Sequence, residues 1–230
     1  MNVFIAHING HTANLTAEES WHCYKVLRCK AGDQIHIIDG LGASYKGELI
    51  TANEKQCVAN IIEGPFYQNK RNYYLHLAIA PTKQIDRIEW MIEKAVEIGI
   101  DEISFIKCKN SERVNLKIDR IQKIVESAVK QSKQAFIPKV NPIEEFKNVI
   151  GTSADIKLIA HCEHDNKLRL RDLEFKNKKI MVLVGPEGDF TMDEIQMAKA
   201  VGFKPVSLGD TRLRTETAGL YTVQTFAILT

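Results

Sequence analysis

Between Gly185 and Thr217 the chain groups residue types that bind ligands and move charge. Gly185-Pro186-Glu187-Gly188 stops an apolar run, Met181-Val182-Leu183-Val184. The loop Asp210-Thr211-Arg212-Leu213-Arg214-Thr215-Glu216-Thr217 follows a second short run that ends in Ser207-Leu208-Gly209. Two strands that each end in a glycine-containing loop, close in sequence, point to a ligand site at the carboxyl edge of a sheet. The second loop adds two arginines and two carboxylates, Asp210 and Glu216, which suit a bound partner. The common nucleotide signatures are absent: there is no G-x-G-x-x-G, no G-x-x-x-x-G-K-[ST] and no G-x-S-x-G. Glu187 also stands where such loops bring phosphate to backbone amides. A ligand with cationic or neutral hydrogen-bonding groups fits better than a polyphosphate.

The elements that must position these loops follow from periodicity. Thr191 with Glu194 three residues on has the capping-box spacing, so a helix is expected after the first loop. Strands are expected at Tyr73–Ala80, Ile103–Ile106, Ile156–Ala160, Ile180–Val184 and Val206–Leu208. Helices are expected between them. From Lys83 to Ile98, Ile85, Ile88, Ile92, Ala95 and Val96 recur at helical spacing, and Gly99 closes the element. Ile121, Ile124, Val125, Ala128 and Val129 do the same later. This alternation predicts an α/β domain with a parallel sheet and helices packed on it.

The first 63 residues read differently. Val3–His7, Gln34–Ile38, Tyr45–Ile50 and Cys57–Ile62 are short, rich in β-branched residues and separated by turn signals. One helix is expected from an N-cap at Thr16, with Glu19 three on. Short strands at this spacing predict a small barrel. Gly64-Pro65 followed by Tyr67-Gln68-Asn69-Lys70-Arg71-Asn72 reads as the linker. That divides the chain into a barrel over 1–67 and an α/β domain over 72–230.

At 230 residues the chain can bury a sizeable core, and its 44% apolar and 26% charged residues are those of a globular protein. No apolar run is long enough to span a bilayer, and Met1-Asn2-Val3-Phe4-Ile5 lacks the form of a signal peptide. The expected location is the cytoplasm, with no membrane partner. Five cysteines without a close pair predict neither a disulfide framework nor a metal knuckle. His161-Cys162-Glu163-His164 has metal-ligand types, but a strand would split them between two faces and no second cluster completes the set. No metal is expected. Net charge is only +2, yet residues 107–139 hold nine Lys or Arg against three acids. That block suits a polyanion or a solvated helix face.

Leu183-Val184-Gly185-Pro186-Glu187-Gly188, and Leu208-Gly209 with Leu213-Arg214-Thr215-Glu216-Thr217-Ala218, closely resemble the two C-terminal motifs of SPOUT-class RNA methyltransferases. Within that class they resemble the RsmE family, which methylates N3 of a uridine in small-subunit (16S) ribosomal RNA. Val26-Leu27-Arg28 with Gly32-Asp33 and Asp39-Gly40, Glu93–Gly99, and Glu112-Arg113 extend the likeness over the whole chain. The resemblance implies a PUA-like RNA-binding barrel at 1–67. It also implies a C-terminal SPOUT domain threaded into a trefoil knot, binding S-adenosylmethionine in the knot loops, and a homodimer whose partner is ribosomal RNA or the small subunit. Two departures stand out. Asp189 occupies a place where relatives often have glycine, and the loop around Ala135 lacks an arginine that many relatives carry, with Lys133 a substitute.

The resemblance also gives roles. Uridine N3 is a weak acid, so methyl transfer needs its proton removed or the resulting anion held. Arg214 is the candidate to hold the uracil or its charge. Glu216 is the candidate to orient Arg214 or accept the proton, and a structural ion pair with an arginine is the alternative. Cofactor contacts are expected from Ala160, His161, Leu183, Val184, Gly185, Glu187, Gly188, Leu208, Gly209, Leu213 and Thr217. Leu183 and Leu213 are expected to pack on the adenine, and Thr215 and Thr217 to cap the last helix. Arg28, Lys83, Arg113 and Lys133, with Arg214, are the candidates for substrate RNA. Competing readings are a non-enzymatic RNA-binding protein and a methyltransferase for another base or a 2′-hydroxyl. The apolar end, Leu220–Leu229, suits an interface or a core.

Overall fold

The computed structural model describes residues 2–230, which form two compact units. The first takes the chain up to Lys70 together with Val129–Ile137. The second takes Arg71–Ala128 and Pro138–Thr230. A single cut at residues 68–71 therefore leaves out the segment 129–137, which groups with the barrel.

The first unit is a closed barrel of β1 (Val3–Asn9), β2 (Thr12–Leu15), β3 (Gln34–Ile38), β4 (Ala43–Ala52) and β5 (Cys57–Tyr67), in the order β1-β2-β5-β4-β3. Strand alternation fills its interior: Phe4 and Ala6, Ala13 and Leu15, Ile35 and Ile37, and Cys57 and Ala59 all point inward. Thr12–Leu15 was not expected as a strand because four residues with one large apolar side chain carry little pattern. Strand β5 runs through Gly64-Pro65, so the break begins only after Tyr67. Helix α1 (Ala17–Trp21) starts as the capping signal predicts, with the Glu19 amide donating to Thr16 Oγ1 at 3.2 Å. It continues through one π turn, His22–Val26.

The second unit holds seven parallel strands in the order β10-β12-β9-β11-β6-β7-β8: β6 (Tyr74–Ile79), β7 (Glu102–Lys107), β8 (Lys139–Glu145), β9 (Ile156–Ala160), β10 (Leu168–Arg169), β11 (Lys179–Val184) and β12 (Lys204–Ser207). The helices are α2 (Ile85–Ile98), α3 (Ile118–Ser132, whose last turn is counted with the barrel), α4 (Phe146–Val149), α5 (Met192–Ala200) and α6 (Thr215–Ile228). Central strands read as continuous apolar runs because both faces are covered. Ala78, Met181 and Leu183 pack with Phe146, Phe190 and Ile195 on one side. Helices α2 and α6 pack on each other, and α6 also packs on β6 and β11. Thr215, Ala218, Gly219, Thr222, Val223 and Phe226 form the buried stripe of α6. Tyr221, Ile228 and Leu229 are exposed on the same helix and just beyond it.

The amino edge of this sheet holds a buried polar network. Glu102 Oε1 accepts from Asn141 Nδ2 (2.8 Å) and Lys139 Nζ (3.1 Å), and Oε2 accepts from the Tyr74 hydroxyl (3.0 Å). Ser104 Oγ accepts from Asn141 Nδ2 (2.8 Å) and lies 2.7 Å from His76 Nε2. Only His76 Nδ1 lacks a hydrogen bond here, and it faces Glu102 Oε2 at 3.8 Å. Although burial raises it, these donors and the nearby His76 take the Glu102 pKa down to about 2. Burial lowers that of His76 to about 4.

Candidate active site

Strands β12, β9 and β11 are neighbours, and the loops at their carboxyl ends enclose an open cleft of about 590 Å³. The first loop, Gly185–Phe190, is braced from several directions. Glu187 Oε1 accepts the Lys83 amide at 2.9 Å, which ties the loop to the end of β6. Asn110 Nδ2 donates to the carbonyls of Gly188 (3.0 Å) and Asp189 (3.1 Å). Phe190 is buried against Phe146, and the capping box of Thr191 with Glu194 starts α5 directly behind it. Asp189 has a φ of 61°, the left-handed region in which glycine is at home. Its carboxylate compensates: Oδ2 accepts the Cys162 amide at 2.7 Å and Oδ1 its neighbour Phe190's amide at 2.8 Å. The departure from glycine thus adds a fixed link between the loops after β9 and β11.

The second loop, Leu208–Arg214, is held at its far end. Thr215 Oγ1 donates to the Gly185 carbonyl at 3.0 Å, joining the start of α6 to the first loop. This corrects the expectation that Thr215 caps the helix. The N-cap position is Arg214, and no side chain bonds there. Thr217 is exposed and lies outside the cleft lining. Arg212 and Arg214 are both exposed at the cleft. Glu216 is buried in the first turn of α6, where the helix dipole favours an anion. Its ion pair among the described residues is with Arg87 Nη1 of α2, at 3.7 Å, and not with Arg214. That contact is long and Arg87 is only half-buried, so it holds Glu216 loosely.

His161 closes the floor of the cleft at the end of β9. It is 8% exposed, and neither ring nitrogen has a hydrogen-bond partner. Asp165 Oδ2 is 3.7 Å from Nε2, and Lys167 Nζ donates to the His161 carbonyl at 2.6 Å. Burial first, then the Lys167 charge, lowers the imidazole pKa, so the ring is neutral near pH 7. A neutral imidazole offers one donor and one acceptor, and both are unused here. Buried polar atoms without partners are rare in native folds, and at a cleft they mark where a ligand completes the bonding. Acids and bases around the cleft balance: Glu187, Asp189, Asp210 and Glu216 against Arg87, Lys167, Arg212 and Arg214.

Residues 69–227 match the family described as RNA methyltransferase domain, and residues 15–62 match the RNA methyltransferase PUA domain. The chain belongs to the RNA methyltransferase family. A ribosomal RNA small subunit methyltransferase E of Mesomycoplasma hyopneumoniae is 32% identical over 184 residues, covering 77% of this chain and 78% of the relative. One from Bacillus subtilis is 25% identical over 233 residues, covering 95% and 91%. Among solved structures, a probable rRNA-methyltransferase from Porphyromonas gingivalis matches with TM-score 0.89 and 38% identity, covering 100% of this chain and 98% of that one. A ribosomal RNA small subunit methyltransferase E from Neisseria gonorrhoeae, bound to S-adenosyl methionine, matches with TM-score 0.86 and 28% identity over the same shares.

Within the methyltransferase domain, Ala160, His161, Val184, Gly185, Glu187, Leu208, Gly209, Leu213, Arg214 and Glu216 all line the cleft. Leu183 does not. It is fully buried in the core with Phe190 and Ile195, because alternation along β11 turns it away from the mouth. Gly188 sits against Asn110, outside the lining. Of the RNA candidates, Arg113 is spent on the backbone: its guanidinium donates to the carbonyls of Thr82 (3.1 Å) and Lys83 (2.6 Å). Lys83 pairs with Glu112 at 2.9 Å, both side chains exposed. Arg28 and Lys133 are exposed on the barrel unit, each with positive φ. Arg87, Asn110 and Asp189 were missed as functional residues. Arg87 has a local signal, a charged residue one turn into a helix that follows a strand end, and Asp189 stands out as a departure within the first motif; Asn110 has none. No group of three or more His, Cys, Asp or Glu among the described residues is arranged to hold a metal, and no helix is long and apolar enough to cross a membrane.

Proposed function

We propose that this chain transfers the methyl group of S-adenosylmethionine to N3 of a uridine in small-subunit ribosomal RNA. The observation that carries this reading is the meeting of two loops, Gly185–Phe190 and Leu208–Glu216, on one cleft that holds unpartnered His161 and displays Arg214 beside Glu216. The cleft fits the cofactor in size and chemistry. Its volume lies within the roughly 300–1,000 Å³ of small-molecule sites. The glycine-containing loops offer backbone groups, and the acids Glu187, Asp189 and Glu216 suit a sulfonium cation. Leu213 and Val184 give apolar walls, with Leu213 taking the adenine contact alone.

Bound there, the cofactor supplies an electrophilic methyl group. The chain supplies the rest. Arg214, exposed at the N-cap of α6 with no side-chain bond there, holds the uracil carbonyls and the negative charge that spreads over them as N3 loses its proton. Glu216 is the acceptor for that proton, its carboxylate tethered only by the long contact to Arg87. The target base must leave any helical stack to enter, at a cost of a few kcal/mol. We further read the chain as a cytoplasmic homodimer whose C-terminal segment is threaded as a knot, with a barrel over 1–67 that binds RNA and a catalytic domain over 72–230. Those expectations rest on the family resemblance.

Nucleoside mass spectrometry of ribosomal RNA from a deletion strain tests the reading. Loss of 3-methyluridine, restored by the wild-type chain and not by Arg214→Ala, is the expected outcome. Retention of 3-methyluridine, or loss of a different methylated nucleoside, overturns the assignment of the target atom.

A further inference from the structure

The two most exposed large apolar side chains among the described residues are Leu41, 81% exposed, and Tyr67, 77% exposed. They lie together in the barrel unit. Leu41 is at the tip of the β3–β4 turn, and the turn's next-but-one residue, Ala43, pairs with Tyr67 of β5. An exposed tip of this kind is ordinarily mobile, but this one is clamped. Asp39 Oδ1 accepts the amides of Leu41 (2.7 Å) and Ala43 (2.9 Å). The segment 135–137 grips the turn from behind: the Gly42 amide donates to the Ala135 carbonyl and the Ile137 amide to the Gly40 carbonyl, each at 3.0 Å.

Both glycines are required by that grip. Gly40 and Gly42 have φ of 76° and 115°, and a Cβ on Gly42 would lie 2.2 Å from the Phe136 ring. Gln68 Oε1 then accepts the Ala135 amide at 2.6 Å, while the Gln68 backbone amide donates to the Gly42 carbonyl at 2.9 Å. The surroundings are cationic. Lys70 Nζ lies 5.1 Å from the centre of the Phe136 ring, Lys133 is exposed two residues before Ala135, and the nearby acid, Asp39, is engaged by the turn amides.

We propose that the Leu41–Tyr67 tip is a docking surface for an unpaired base of the RNA, with Tyr67 stacking on its face, Leu41 wedged against its edge, and Lys70 and Lys133 on flanking phosphates. This rests on the RNA-methyltransferase reading above and names a contact that reading does not contain. Single-stranded and looped RNA is read by bases splayed onto aromatic side chains. The fixed backbone means little ordering is left for binding to impose. A second copy of the chain fits less well, since a standard protein interface buries about 800 Å² per partner and this feature is two protruding side chains flanked by like charges.

The test is filter binding of transcribed small-subunit ribosomal RNA at several salt concentrations. The proteins are the wild type, Leu41→Ser, Tyr67→Ala and Lys70→Gln, all exposed positions. Tyr67→Ala is expected to weaken binding about tenfold with an unchanged salt slope, in the range of stacked-base losses. Leu41→Ser is expected to weaken it severalfold. Lys70→Gln should reduce the slope of log K against log salt by about 0.7–0.9, the value of one phosphate contact. Wild-type affinity in both Leu41→Ser and Tyr67→Ala overturns the proposal. So does a change in sedimentation of these variants at constant RNA affinity, which would assign the tip to a second copy. Methyl transfer by the wild type in the same samples keeps the two failures apart. With transfer present and the tip variants binding normally, only this inference falls; with no cofactor uptake or transfer, the enzymatic reading falls first.

Discussion

The two edges of the parallel sheet use similar side chains to opposite ends. At the amino edge, Glu102 is buried and takes three hydrogen bonds, with His76 and Lys179 close by. At the carboxyl edge, Glu216 is equally buried and has one long contact, and the His161 ring has no hydrogen bond. A carboxylate whose donors are all supplied from within is a structural part, because its binding capacity is used up. One left short of partners at a cleft retains that capacity for a ligand. The difference separates stability from function within one sheet.

Substitutions at the two edges should therefore fail in different assays. Arg214→Ala should lower kcat/KM for RNA by about 1,000-fold, the upper range for removing one donor to a developing anion, with the melting temperature unchanged. A loss of stability instead would move Arg214 into the structural class. Glu102→Ala should do the reverse. It strands Lys139, Asn141 and Tyr74 and should lower unfolding free energy by about 3 kcal/mol in urea titration, with specific activity of the folded fraction retained.

The amino edge should also be the acid-sensitive one. His76 has a folded pKa of about 4 against 6.5, so below pH 6.5 the unfolded chain binds the proton first and stability drains until pH 4. Glu102 has a folded pKa of about 2 against 4.5, so its contribution, present above 4.5, is lost as pH falls from there toward 2. Urea midpoints should fall from pH 7 to pH 4.5, and His76→Gln should flatten that slope. An unchanged slope in the variant would assign the acid sensitivity elsewhere.

Arg87→Met sharpens the remaining question at the carboxyl edge. If Glu216 takes the proton, kcat should fall about tenfold with cofactor affinity and melting temperature kept, and Arg87→Lys should restore most of it. If Glu216 is only an anchor, the melting temperature should move and kcat should not. The smallest effect is expected from Thr191→Ala, which removes the cap behind the braced loop. It should cost about 1 kcal/mol in thermal unfolding with little change in turnover.

Local features of the fold were legible in the sequence, and long-range ones were not. The N-cap at Thr16, the capping box at Thr191 and the stripe from Ile88 to Val96 follow from patterns within a single turn or helix, and the structure repeats them. Strand β8 (Lys139–Glu145) was not read as one, because Lys, Asn, Pro and two Glu leave it no alternation. The cleft's two motifs were legible through family resemblance. Its braces were not: Asn110 reaches Gly188 across 78 residues, and Arg87 meets Glu216 from another helix. The resemblance puts Leu183 at the cofactor, but an apolar run buried on both faces does not show which of its residues turn toward the mouth, and Leu183 turns into the core.

The seven-stranded sheet is open, and open sheets end in unpaired backbone that can recruit another chain. Here one terminal strand, β10, is two residues long, and the other, β8, carries Pro142 without an N–H and the charges of Lys139, Glu144 and Glu145. These residues, which hid β8 from a periodicity reading, are a guard against runaway strand addition. The price of a soluble edge is a strand that looks like a loop.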